Sequence, residues 1–271
     1  MTGYQNLHTH TTYCDGTLPP EAMIEAAQEK GCGSIGFSDH SYVPFDKVFS
    51  TPPDLAAQYA SEINELKAKY EGSIEVFLGI EHDYYTTVPL EGLDYILGAV
   101  HYVETADGIV SIDSGARRQL DTVHRYFGGD FYAMTAAYFA NIADIMGKAD
   151  VDIIAHFDLV AKYNSSGNLF DETHPRYIEA ALGAMDKILE GCKIFEVNTG
   201  AMYRLNKQQP YPSAFLLMEL QKRGGEVTLS SDSHDAGSIC YKFDEMTELL
   251  KACGFKHTKR LTKDGFIDIP L

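Results

Sequence analysis

Seven short apolar runs, at residues 4–7, 33–37, 74–80, 95–100, 151–155, 193–198 and 226–229, alternate with segments of helical periodicity along this chain. Six of the seven lead directly into a histidine, a carboxylate or both. Strand followed by helix, repeated about seven times, predicts parallel strands closed into a barrel, in which functional groups gather at the C-terminal strand ends. The polar residues that end these runs are His8 and His10 with Asp15 shortly after, then His40, Glu81, His101, His156, and Asp232 with His234. In an extended strand, residues two apart share a face, so His8 and His10 can present two imidazoles to one point.

One alternating histidine in a strand is more often satisfied or solvated than ligating. Nine donors at the ends of parallel strands are a different matter, because the barrel brings those ends together. Imidazole nitrogen and carboxylate oxygen are the usual ligands of zinc and also suit iron or manganese. Nine ligands exceed what one ion can use, so two or three divalent ions are expected, with Glu81, alone after its strand, as the natural bridge. His82 follows Glu81 and should point to the opposite face, while His124, His174 and His257 fall in helical or tail contexts. These four are expected to be structural or solvated. Asp39 is expected to accept the second N–H of a ligating histidine, and Cys14 to be a bystander.

A chain of 271 residues suits one α/β barrel, and 1–271 is read as a single domain. Helices are expected over 21–30, 54–70, 131–148, 173–190, 212–223 and 241–252, with a hairpin or short strand over 256–270. Residues 103–130 are less regular, carrying Asp107-Gly108, Ser114-Gly115 and Gly128-Gly129, and are read as a long loop plus helix inserted over the site. No apolar run is long enough to span a bilayer. The start, MTGYQNLHTH, lacks a signal pattern, and five cysteines without a CxxC pair read as reduced thiols, so a cytoplasmic protein is expected. A formal net charge of -17 argues against a surface that grips nucleic acid through its phosphates. Bound cations would instead attract an anionic substrate locally.

Taken in order and spacing, HTHTTYCDG, FSDH, GIE, AVHY, AHFD and SSDSH resemble the motifs of the polymerase-and-histidinol-phosphatase (PHP) family, over nearly the whole chain. That resemblance implies a distorted (β/α)7 barrel with a trinuclear centre, zinc being the first expectation and manganese or iron the alternatives. Carried over by motif, one ion would take His8, His10, Glu81 and Asp232, a second Glu81, His101 and His156, and a third Asp15, His40 and His234. Some members carry a histidine where Asp15 stands, a departure that bears on the third position. GAVHYVETADGIVSID, IIAHFDLVAKYN and FEVNTGAMYR resemble the histidinol-phosphate phosphatase branch, which implies hydrolysis of a small phosphomonoester in histidine biosynthesis.

For such a reaction, a water shared between two ions loses its proton near neutral pH and attacks phosphorus. Glu81, Asp232 and His234 would carry the catalytic roles, and the acid that protonates the leaving oxygen stays open between Asp232, His234 and metal-held water. Equatorial phosphoryl oxygens need cations, a role suited to bidentate arginine. Arg117, Arg204 and Lys162 are the candidates. The competing expectation is a PHP-type esterase acting on nucleotide or nucleic-acid ends. A purely structural metal site is disfavoured, because such sites are usually closed and cysteine-rich. Neither a nucleic-acid nor a membrane partner is expected, and oligomeric state is open.

Overall fold

A computed structural model describes residues 3–164 and 168–271. In chain order the elements are β1 (Gln5–Asn6), α1 (Pro20–Glu29), β2 (Ser34–Phe37), α2 (Ala56–Lys69), β3 (Glu75–Asp83), β4 (Tyr95–Ala99), β5 (Tyr102–Thr105), β6 (Gly108–Ser111), α3 (Ala116–Tyr126), α4 (Phe131–Asp144), β7 (Ile153–Ile154), α5 (Pro175–Ile188), β8 (Ile194–Asn198), α6 (Gly200–Arg204), α7 (Ala214–Lys222), β9 (Glu226–Ser230), α8 (Phe243–Ala252), β10 (His257–Thr262) and β11 (Gly265–Pro270). Seven strands form one sheet in the order β1-β2-β3-β4-β7-β8-β9, with every neighbouring pair parallel. The sheet curls until its outer edges meet beyond β1 and β9. There Thr9 bridges Ser233, His10 N donating to Ser233 O at 2.8 Å and Ser233 N to His8 O at 3.0 Å. The result is a nearly closed seven-stranded parallel barrel.

Inside the barrel, Leu7, Phe77, Tyr95, Leu97, Ala99, Ile153, Ala155 and Ile194 pack into one cluster. Tyr95 sets its geometry, because its ring lies across β3 where a Cβ on Gly79 would come within 2.3 Å of it. Only glycine leaves that space, so the tyrosine can reach across and donate to Leu7 O. The β10–β11 hairpin closes the opposite end from the ligands: Leu261 joins the cluster, and its backbone N and O pair with the Gln5 side chain at 2.7 and 3.0 Å. Arg260 of the same hairpin donates to Gly3 O and Ser34 Oγ, beside the strand starts.

The helices cover the outer faces as their spacing requires. α2 buries Tyr59, Ile63 and Leu66, at i, i+4 and i+7, and α1 buries Met23, Ile24 and Ala27. Each such aliphatic side chain contributes roughly 1.5–3 kcal/mol when fully buried. α4 starts at Asp130, whose carboxylate accepts from Tyr132 N and Ala133 N, and it packs against α5.

Two expectations about order need correction. No helix separates β3 from β4; residues 84–94 make that crossover as a loop, and Asp94 anchors its end by accepting from Leu78 N at 2.6 Å. Of the long loop plus helix expected over 103–130, the helix is present as α3, while the part read as loop contains an antiparallel hairpin, β5–β6. No helix among the described residues is long and apolar enough to cross a membrane.

Candidate metal centre

All nine sequence-selected donors converge at the C-terminal mouth of the barrel, because each strand releases its polar residue at the rim. Glu81 lies at their centre, 1% exposed. Its Oε1 stands 2.8 Å from His156 Nε2 and 3.3 Å from His101 Nε2; its Oε2 stands 2.8 Å from His40 Nδ1, 3.3 Å from His8 Nε2 and 3.5 Å from His10 Nε2. Asp232 Oδ1 approaches His10 Nε2 at 3.3 Å, and Asp15 Oδ1 approaches His234 Nε2 at 3.2 Å and His40 Nε2 at 3.7 Å. Donor atoms of His8, His10 and Asp232, of His8, Glu81 and His156, of His40, Glu81 and His101, and of His10, Asp15, His40 and His234 each fall within 4.8 Å of one another.

Whether these groups suit metal ions is decided by the atoms left without partners. His8 Nε2 and His10 Nε2 are buried and make no hydrogen bond, and Glu81 Oε2, though 2.8 Å from His40 Nδ1, is not aligned to accept one. An unpaired buried polar atom is costly, and three of them facing one another form a ready-made ligand set. The donor set therefore fits several divalent metal ions. Backbone strain marks the same place: His156 and Asp232 adopt φ of +21° and +46°, a region that side-chain-bearing residues rarely occupy.

Around the ligands stands a layer of acceptors that orients them. His8 Nδ1 donates to Glu196 Oε2 at 2.8 Å, which turns its Nε2 toward Glu81. Glu196 is fully buried and also accepts from His156 N and Asn198 Nδ2, both at 2.7 Å, and from the Ser230 hydroxyl. Asp83 Oδ2 holds His101 Nδ1 at 3.1 Å. Burial works against charge on His8, but Glu196, Glu81 and Asp232 overcome it and hold its imidazole well above the ordinary value. Burial likewise opposes ionisation of Glu81, yet His40, His8 and His101 hold its carboxyl well below. Asp232 is treated the same way, chiefly by Arg204.

Asp39 departs from its expected role. It accepts from Thr11 N at 2.7 Å, from the Thr11 hydroxyl and from Cys14 Sγ at 2.7 Å, and touches no ligating histidine directly. Cys14 is correspondingly more than a bystander, for its Sγ lies 3.4 Å from His10 Nδ1 and links that ring to Asp39.

The three expected phosphate cations divide. Arg204 and Lys162 line the cavity over the centre; Arg117 does not, standing exposed on α3, because the hairpin and helix carry it outward. Arg204 reaches Asp232 three times, Nη1 to the backbone O at 2.6 Å and to Oδ1 at 3.3 Å, and Nη2 to Oδ2 at 2.8 Å. A Cβ on Gly200 would come within 3.0 Å of that guanidinium and 2.9 Å of Asp232, so the opening turn of α6 leaves it room. Lys162 Nζ pairs with Asp113 at 2.6 Å. His82 is buried but absent from the cavity wall, His124 and His257 are exposed, and His174 caps α5 by accepting from Arg176 N.

Sequence reasoning passed over Glu196, Asp83 and Asp113. Two signals were available: Glu196 is the lone charge inside an apolar run, and Asp83 shares a strand face with Glu81.

Residues 6–200 match the PHP domain model. Over 275 residues the chain is 26% identical to the probable histidinol-phosphatase of Deinococcus radiodurans, covering 96% of this chain and 99% of that one. With the histidinol-phosphatase of Bacillus subtilis it shares 24% over 267 residues, 89% of this chain and 97% of the other. The crystal structure of histidinol phosphate phosphatase from Lactococcus lactis, complexed with zinc, L-histidinol and phosphate, superposes with a TM-score of 0.72 at 20% identity, covering 97% of this chain and 98% of that one. A match across most of the chain, on a barrel whose mouth collects the nine donors, means that this protein belongs to the PHP domain family.

Proposed function

We propose that this chain is a metal-dependent phosphomonoesterase that hydrolyses L-histidinol phosphate to L-histidinol and inorganic phosphate, with 1–271 acting as one barrel unit. One observation carries the reading: unpartnered ligand atoms surround Glu81 at the floor of a cavity whose wall holds Arg204 and Lys162. End-to-end similarity to histidinol-phosphatases supports the substrate. His8, His10, Glu81 and Asp232 would hold one ion, Glu81, His101 and His156 a second, and Asp15, His40 and His234 a third. Zinc is the first choice by donor type, with manganese or iron as alternatives. When bound, the ions supply Lewis-acid polarisation of the phosphoryl oxygens and acidify water at neutral pH.

The chain's own residues do the rest. Arg204 carries five N–H donors in a rigid fork, and its anchorage on Asp232 fixes the fork at the cavity wall. Its remaining donors meet equatorial phosphoryl oxygens, and Lys162 supplies a second cation. Asp232, kept ionised by Arg204, has no proton to give. His234 cannot serve either, because its Nδ1 accepts from Arg204 Nη1 at 2.7 Å and its other nitrogen is assigned to the third ion, which leaves water at the centre to protonate the departing alcohol. Asp46, Asp83 and Asp113 also line the cavity and offer acceptors to the ammonium and imidazole of histidinol, while Phe49 gives the imidazole an apolar wall. The acidic balance of the chain disfavours nucleic-acid substrates.

The test is kcat/KM for L-histidinol phosphate, p-nitrophenyl phosphate and a nucleotide diester, with wild type and Arg204→Ala at matched metal content. Histidinol phosphate should be much the best substrate. Losing the arginine should cost about 2–4 kcal/mol, roughly 10²–10³ in rate. Equal efficiency on the diester would move the protein to the nuclease-like branch, and an unaffected Arg204→Ala would leave Lys162 as the phosphate clamp.

A further inference from the structure

Cys32 and Cys240 stand apart from the metal centre, yet their sulfurs lie 2.6 Å from one another across 208 residues of sequence. We propose that this pair is a thiol–disulfide modification site, oxidised by peroxide to a bond that ties the end of α1 to the segment following β9. That segment carries Asp232 and His234, so the bond would fasten the backbone of one wall of the catalytic mouth to its neighbour.

Three observations place the two sulfurs together independently of their separation. Cys32 follows α1, its N donating to Ala27 O at 2.9 Å, which fixes the direction of its side chain. Cys240 is held on the other side, in a left-handed conformation with φ of +54° and with its N donating to Ser231 Oγ at 3.1 Å. Lys30 then clamps the two segments to each other, its Nζ donating to Gly237 O at 2.6 Å and Ile239 O at 3.0 Å. A disulfide needs Cβ atoms already close and correctly aimed, and here both backbones are pinned where the bond would form. Among the described residues none of the other cysteines has a sulfur partner: Cys14 faces Asp39, Cys192 faces Asp152 O and Cys253 faces Ala214 O.

The environment also suits the chemistry. Hydrogen bonding from Cys240 draws the Cys32 thiol below its ordinary value against the opposing effect of burial, and the Lys30 ammonium adds to it. A thiolate is the reactive form, and Cys240 is partly exposed, which opens a way in for a small oxidant. The Cys32 sulfur attacks a peroxide oxygen, the O–O bond breaks and water leaves, which puts a sulfenic acid on Cys32. The Cys240 sulfur then displaces that hydroxyl as a second water. Two thiols and one hydrogen peroxide thus become one disulfide and two waters, the sulfurs losing two electrons.

The test uses the intact metal-loaded protein, treated with hydrogen peroxide, alkylated and mapped as peptides. The expected product is a Cys32–Cys240 cross-linked peptide, with Cys14, Cys192 and Cys253 recovered alkylated. Because the bond closes a long loop and so restricts the unfolded chain, the oxidised protein should melt higher by roughly 5–10 °C, reversibly with dithiothreitol. Cys32→Ser and Cys240→Ser should each remove the shift, and Cys253→Ser should keep it. Recovery of both cysteines as alkylated or sulfinic peptides, pairing of either with a different cysteine, or a shift that survives in Cys240→Ser would overturn the proposal.

Discussion

Replacing Glu196 by Gln isolates the acceptor layer from the ligands themselves, since the shape stays and one charge goes. Glu196 accepts four hydrogen bonds, from His156 N and Asn198 Nδ2 on Oε1 and from His8 Nδ1 and the Ser230 hydroxyl on Oε2. A glutamine must turn its NH2 toward one of these pairs. It cannot easily face His156 N, a backbone donor with no alternative, nor Asn198, whose Oδ1 is committed to Gly200 N at 2.8 Å. Facing His8 is cheaper, because the serine hydroxyl can rotate and the imidazole can move its proton to Nε2. That tautomer blocks the nitrogen aimed at Glu81 and Asp232. Loss of such an orienting partner usually costs 10–100-fold in metal affinity, about 1.4–2.8 kcal/mol. The fold should lose little, because removing a buried charge also removes its desolvation cost. The assay is zinc competition against a chromophoric chelator, with kcat followed as zinc is raised; activity should return at high zinc. Zinc affinity within twofold of wild type would refute the assignment of the His8 tautomer to Glu196.

Glu81→Gln should abolish turnover while leaving the circular dichroism spectrum native, since Glu81 touches five histidines but no part of the barrel interior cluster; near-normal kcat would exclude a bridging role. Purified protein should carry two to three transition-metal equivalents, and active protein with one or none by elemental analysis would contradict the ligand division. Asp130→Ala removes the α4 cap and should cost about 1 kcal/mol, some 2–4 °C in Tm. The Arg176 ion pair and the capped N–H groups outweigh a small burial effect and hold the Asp130 carboxyl below its ordinary value. The deficit should therefore be full at neutral pH and close as pH falls from ~4 through the lowered value; a deficit independent of pH would mean the carboxylate charge contributes nothing.

What the sequence made legible follows from what repeats. The alternation of apolar runs with helical segments encodes the barrel, and a histidine or carboxylate after six of the seven runs encodes the rim, so the nine residues that converge there could be read without coordinates. Glu196 was harder because it sits within its run, where a charge reads as a flaw in the pattern until β8 is seen to face the centre. Asp39 misled for the opposite reason: adjacency to His40 suggested partnership, but strand neighbours point to opposite faces, and Asp39 turns toward Thr11 and Cys14. Arg117 was misplaced because proximity along the chain to His101 says nothing about how a hairpin and helix redirect it. The Cys32–Cys240 approach, 208 residues apart, leaves no local trace in the sequence.

Charge at the mouth shows what metal ions would contribute to phosphate capture there. Six carboxylates line the cavity, Asp15, Asp46, Glu81, Asp83, Asp113 and Asp232, against the cations of Lys162 and Arg204. Both cations are already engaged, Lys162 with Asp113 and Arg204 with Asp232. With the histidines neutral, as metal ligands must be, six negative and two positive side-chain charges sum to −4 before any ion is counted. Two divalent ions bring the same wall to neutrality and a third makes it positive, which is the field a phosphate dianion would meet in the loaded site. Arg204 then contributes direction more than charge, since its anchorage on Asp232 fixes the guanidinium at the cavity wall.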